Sequence, residues 1–110
     1  MSNKKSFNLT EKGEYDKALT WLNVFFALNP GLFLIRGMIN FFRSSVPDTN
    51  QVDAAIKLIE AGKKNGLKRM RIKVSKKAGM KLKVNSILDG LGVSTKLKGK
   101  EEMIVKIEYK

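Results

Sequence analysis

The apolar residues of this chain change their period near residue 67, and that switch limits the possible folds more than any other feature. Val52, Ala55, Ile56 and Ile59 recur at the three-, four- and seven-residue spacing of one helical stripe. From Met70 onward the apolar residues instead alternate with polar ones. They fall into four sets: Met70, Ile72 and Val74, then Met80, Leu82 and Val84, then Val93, Thr95 and Leu97, and finally Met103, Val105, Ile107 and Tyr109. Period two marks a strand with one buried face. Helices followed by strands belong to the α+β class, with the helices packed on one face of the sheet.

Local signals divide the chain further. Asp48, Thr49 or Asn50 can cap a helix over 48–64, and Asn65-Gly66 supplies its left-handed stop. Upstream, "EYDKALTWLNVFFALN" sets Asp16, Thr20 and Asn23 on one polar stripe, and "LFLIRGMINFFRSS" does the same with Arg36, Asn40 and Arg43. Asn29-Pro30-Gly31 lies between them, because the residue before proline avoids the α region and glycine permits a reversal. Residues 13–46 therefore read as an antiparallel, apolar helical hairpin. "SKKAG" and "KGKE" are hairpin-sized connections, so 68–110 reads as a four-stranded, mostly antiparallel sheet. Residues 1–12, "MSNKKSFNLTEK", show no periodicity and read as a mobile N-terminal tail ahead of a single domain over 13–110.

Charge follows this division. The chain carries 22 basic and 10 acidic residues, net +12, an excess that attracts polyanions. Six basic and four acidic residues precede position 51, while sixteen basic and six acidic residues follow. The excess therefore belongs to the stranded half. "KKNGLKRMRIKVSKKAGMKLK", residues 63–83, holds ten of the cations and no carboxylate. With the apolar set turned toward the helices, the opposite face would show Arg69, Arg71, Lys73, Lys81, Lys83, Lys96, Lys98 and Lys106. Like charges on neighbouring strands repel, and these eight residues are the candidate polyanion site. The competing interpretation is a solvated lysine face that blunts the sheet against aggregation.

The chemistry of such a site is narrow. Eight of the nine aromatics precede residue 43, and the ninth, Tyr109, falls on the apolar set. The face thus has no platform on which bases could stack. Its cations are mostly lysine, which contacts phosphate as a point charge and reads no base sequence. Nucleic acid, an anionic membrane surface or another anionic partner would satisfy it by charge alone.

The apolar hairpin raises a second question. Residues 18–35 form an uncharged run of eighteen, the length at which a membrane span comes into view. Asn29, Pro30 and Gly31 in its middle argue against one straight span. Trp21, Phe25, Phe26, Phe33, Phe41 and Phe42 instead mark the hairpin as a surface needing further burial, in a homo-oligomer or against a partner protein. A cytoplasmic protein is expected, with membrane association through 14–43 as the alternative.

Enzyme function is not expected. Cysteine and histidine are both absent, which removes thiolate, imidazole and the usual zinc chemistry. Glu101 and Glu102 are adjacent, so on a strand they would point to opposite faces, a poor geometry for an acid–base pair. No metal or cofactor site is expected.

Overall fold

The computed structural model describes residues 4–25 and 46–109. In chain order these form β1 (Lys4–Asn8), α1 (Lys12–Phe25), α2 (Asp48–Lys64), β2 (Arg69–Ser75) and α3 (Lys76–Lys83). A single 3-10 turn at Ser86–Leu88, β3 (Gly92–Lys98) and β4 (Glu102–Glu108) complete them. The strands make one sheet in the order β1-β2-β4-β3. β1 runs parallel to β2, and β4 is antiparallel to both β2 and β3. The class is α+β as expected, but the sheet is mixed.

Two departures produce that difference, and each has a local cause. Residues 4–8 are an edge strand rather than a tail. Phe7 and Leu9 turn toward the helices, Leu9 is fully buried, and its N–H donates to Lys73 O at 2.9 Å. The Asn8 side chain then ends the strand by accepting from the Thr10 N–H at 3.0 Å, an Asx turn. The second departure is the stretch 80–84, which is helix instead of strand. Ser75 caps α3, its Oγ accepting from the Ala78 N–H at 3.1 Å. Ala78 and Leu82, four apart, supply the buried stripe, while Met80 and Val84 are exposed. The alternation of Met80, Leu82 and Val84 is coincidental with respect to burial.

The core lies between the helices and one side of the sheet. Met70, Ile72 and Val74 of β2 and Met103, Val105 and Ile107 of β4 are buried there, against Tyr15, Leu19, Leu22, Ala54, Leu58 and Leu82 from the helices. α2 follows its expected period and stops where expected. Gly66 has φ +72, the Leu67 N–H donates to Gly62 O at 3.0 Å and the Gly66 N–H to Lys63 O at 3.3 Å, a Schellman ending. Its buried stripe is rotated, however, running through Gln51, Ala54, Ala55, Leu58 and Ile59. Val52 and Ile56 are only half-buried.

Asp48 is the first helical residue of α2 and not its cap. It accepts a hydrogen bond from Ser75 Oγ. Gln51, nearly inaccessible, accepts from the Ser75 N–H at 2.7 Å and donates from Nε2 to Val46 O at 2.9 Å. This polar knot fixes the start of α2 to the junction of β2 and α3.

α1 confirms a helix over the first arm of the expected hairpin. Trp21 is half-buried, its ring 5.2 Å from that of Phe7. The turn at 29–31, the second arm, and Phe26, Phe33, Phe41 and Phe42 lie outside the described residues, as does most of the uncharged run. Among the described residues, no helix is long and apolar enough to cross a membrane.

Two glycines allow the layers to close. A Cβ on Gly62 of α2 would collide with the Tyr109 hydroxyl and the Met70 methyl, and one on Gly79 of α3 would collide with the Met103 sulfur. The Tyr109 hydroxyl instead reaches over Gly62 and donates to Ile59 O at 2.9 Å. Replacing Gly62→Ala should cost about 1–3 kcal/mol of overpacking, more than the ~1 kcal/mol that alanine returns as helix propensity. In α1 a Cβ on Gly13 meets nothing within 4 Å, so Gly13→Ala should stabilise by up to about 1 kcal/mol. Urea unfolding of the two variants should therefore shift in opposite directions.

The two tyrosines give a pH test. Burial pushes the Tyr15 phenol up to about 12, aided by the Asp53 and Asp16 carboxylates and opposed by a hydrogen bond with Asn50. Burial also carries Tyr109 well above the ordinary tyrosine range. Both folded values exceed the unfolded one of about 10, so the folded state holds its phenolic protons longer. The linked stability is fully present below pH ~10 and is lost as pH rises through the folded values. Ultraviolet difference absorbance should show almost no tyrosinate in the folded protein near pH 10.5, and its prompt appearance on adding urea.

Candidate anion-binding face

The side of the sheet turned away from the helices carries most of the expected cations. Strand register arranges them in rows. Lys4, Arg69, Glu108 and Gly92 form the first row, and Ser6, Arg71, Lys106 and Ser94 the second. Asn8, Lys73, Ile104 and Lys96 make the third, followed by Ser75, Glu102 and Lys98. Of the eight candidate residues, the structure thus brings together Arg69, Arg71, Lys73, Lys96, Lys98 and Lys106. Lys81 and Lys83 do not belong. They are exposed on α3, which packs on the opposite side through Ala78 and Leu82. Their exclusion follows from the helix that replaces the expected strand.

Lys4 takes a place on this face that sequence reasoning missed. Its only signal was the pair Phe7 and Leu9, two apolar residues spaced for a strand in an otherwise polar segment. With it, seven cations share the face with two carboxylates, Glu102 and Glu108. Both carboxylates are engaged: Glu108 with Arg69 at 3.7 Å and Glu102 with Lys73 at 3.3 Å. The Arg69–Glu108 pair is solvent-exposed and adds little stability, whereas the Lys73–Glu102 pair is half-buried.

The second row is different. Arg71 and Lys106 stand directly opposite one another on the two central strands. Neither forms an ion pair with any described residue. Ser6 and Ser94 extend the row at either end. A shallow trough of about 710 Å³ opens over this region, lined by Ser6, Arg69, Arg71, Ser94, Lys106 and Glu108 among others. It offers guanidinium, ammonium and hydroxyl donors with one carboxylate at its margin, a donor set suited to an anion. Directly opposed like charges on a sheet cost roughly 0.2–1 kcal/mol, and a bound anion would remove that cost.

No aromatic side chain stands on this face in any row. Tyr109 lies on the helix side, through its hydrogen bond to Ile59. Among the described residues, no three His, Cys, Asp or Glu side chains cluster in a way that could hold a metal ion. No family model matches the chain, and no curated protein or solved structure matches it either, so its function has to be read from the chemistry of this face.

Proposed function

We propose that the chain is a small, non-enzymatic binding protein whose basic sheet face contacts a polyanion, by charge and without sequence readout. The observation that supports this most directly is the opposed pair Arg71 and Lys106, in a row without a carboxylate. A purely solvated face would gain from an acidic residue at one of those positions. Nucleic acid is the leading ligand class, since its regularly spaced phosphates can engage several rows at once. The absence of stacking platforms restricts contact to the backbone.

Binding to duplex DNA, single-stranded RNA and vesicles containing anionic lipid, measured across salt, tests this. Binding to duplex should weaken with a log–log slope of about −0.9 per phosphate engaged. Arg71→Glu and Lys106→Glu should each weaken binding at least tenfold. Lys81→Glu and Lys83→Glu, on the far side of the molecule, should have a much smaller effect. Failure to bind all three probes at low salt would overturn the proposal, as would equal losses from the sheet and α3 variants. Preference for vesicles over both nucleic acids would move the function to a membrane surface.

The same residues should show a trade between stability and binding. Lys106→Glu turns a repulsive cross-strand pair into an attractive one, so urea unfolding without ligand should show a gain of about 0.5–1 kcal/mol. A loss of stability would mean that Arg71 and Lys106 do not strain the empty face.

A further inference from the structure

Four large apolar side chains stand exposed among the described residues, two of them on the edge strand β3. They are Met80 (52%) and Val84 (86%) on α3, and Val93 (37%) and Leu97 (54%) on β3. Val84 and Val93 line one groove of about 390 Å³ together with Lys83, Asn85 and Thr95. The groove thus lies along the Val93–Thr95 part of β3, with Lys83 and Val84 at the end of α3 on its other wall. Leu97 stands on the same side of β3 as Val93 and Thr95 and continues the exposed apolar side of the strand. β3 is hydrogen-bonded to β4 on one side and to no described strand on the other. An unpaired strand with a half-exposed apolar side is a template for another strand.

We propose that the occupant is β3 of a second copy, added antiparallel with Thr95 on the two-fold axis. The pattern of β3 is self-complementary in that register. All seven residues, Gly92–Lys98, find partners. Val93 faces the second copy's Leu97, and Leu97 faces its Val93, both on the core side. Ser94 faces Lys96 and Gly92 faces Lys98, on the basic side. No lysine stands directly opposite a lysine. Shifting the axis to Lys96 would place Lys96 against itself, and shifting it to Ser94 would leave Leu97 and Lys98 without partners. An isologous contact needs this self-matching, and the central register alone supplies it with full overlap. The second copy's groove then meets the first across the axis, so the exposed apolar residues of both copies close over one another. An acidic extended segment of another protein would suit the lysines but has no comparable reason to match Val93 and Leu97 in spacing.

Trp21 packs on Phe7 of β1, at the opposite edge of the sheet from β3, and pairing through β3 requires no bound polyanion. Sedimentation or light scattering at moderate salt should give twice the chain mass of 12.4 kDa. Val93→Lys and Leu97→Lys should each raise the dimer dissociation constant at least tenfold while circular dichroism stays unchanged. The chain has no cysteine, which allows a second, geometric test. Thr95→Cys would bring two identical positions within about 4.5–5.5 Å between Cα atoms, inside the range for a disulfide. It should crosslink rapidly, whereas Lys77→Cys on the exposed start of α3 should not. A monomer at high concentration overturns the proposal. So does a dimer that survives Leu97→Lys but dissociates with Trp21→Asp, or equal crosslinking at positions 95 and 77.

Discussion

Cover on only one side of the sheet is the constraint on which the described fold depends. Met70, Ile72, Val74, Met103, Val105 and Ile107 project to the side that the helices bury, and period two obliges their neighbours to project the other way. The described helices leave that second side open. Long cationic side chains suit such a position, because their stems can lie over a sheet while their charges stay in water. The basic face and the core are thus two consequences of one alternation. The buried side is closed tightly: Gly62 and Gly79 remove the side chains that would hold α2 and α3 away from Tyr109 and Met103. The knot of Asp48, Gln51 and Ser75 then fixes where the helix layer sits along β2.

How much of this could be read in the sequence depended on whether the signal was local. Helix α2, with its repeated stripe and Asn65-Gly66 stop, and strands β2, β3 and β4 are all legible. The rotation of the α2 stripe toward Leu58 was not, because it depends on burying Gln51. A polar residue enters a core only when specific partners satisfy it, and one of Gln51's partners, Ser75, is 24 positions away. α3 failed for a different reason. Eight residues rich in lysine carry both periods at once, and the choice was made by Ser75 as a cap and by contact with Met103, one local and one distant. β1 failed because an edge strand of five residues needs only one or two apolar anchors when a neighbour provides the pairing. The site was legible to the same degree: six of eight candidate cations lie together, the two errors come from α3, and the omission, Lys4, comes from β1.

The corrected face is better defined than the sequence alone implied. Losing Lys81 and Lys83 and gaining Lys4 leaves the cations on a single rigid surface spanning all four strands. Within it, the two carboxylates each serve a cation, Arg69 and Lys73, while Arg71 and Lys106, directly opposed on the two central strands, and Lys96 and Lys98 on β3 have no such partner among the described residues. A face that served solubility alone would gain nothing from opposing two cations on its central strands. On the proposed reading, a ligand that relieved the repulsion would gain that relief as affinity.

The basic face and the β3 edge are also linked through geometry and charge. Strand addition at β3 continues the sheet, so the cations of two copies would share one surface of eight strands, roughly 38 Å across at about 4.8 Å per strand. Each chain brings a net charge of +12, and Lys96 and Lys98 lie close to the axis, so association works against electrostatic repulsion. Salt weakens that repulsion by screening, but salt also weakens phosphate binding by counterion competition. A polyanion lying across both copies neutralises the lysines nearest the axis and engages twice as many rows. By linkage, it must then favour the paired state by the same factor by which pairing favours its own binding. If both proposals hold, added salt would therefore act in opposite directions on the two contacts, strengthening pairing in the free protein and weakening a polyanion-bound assembly.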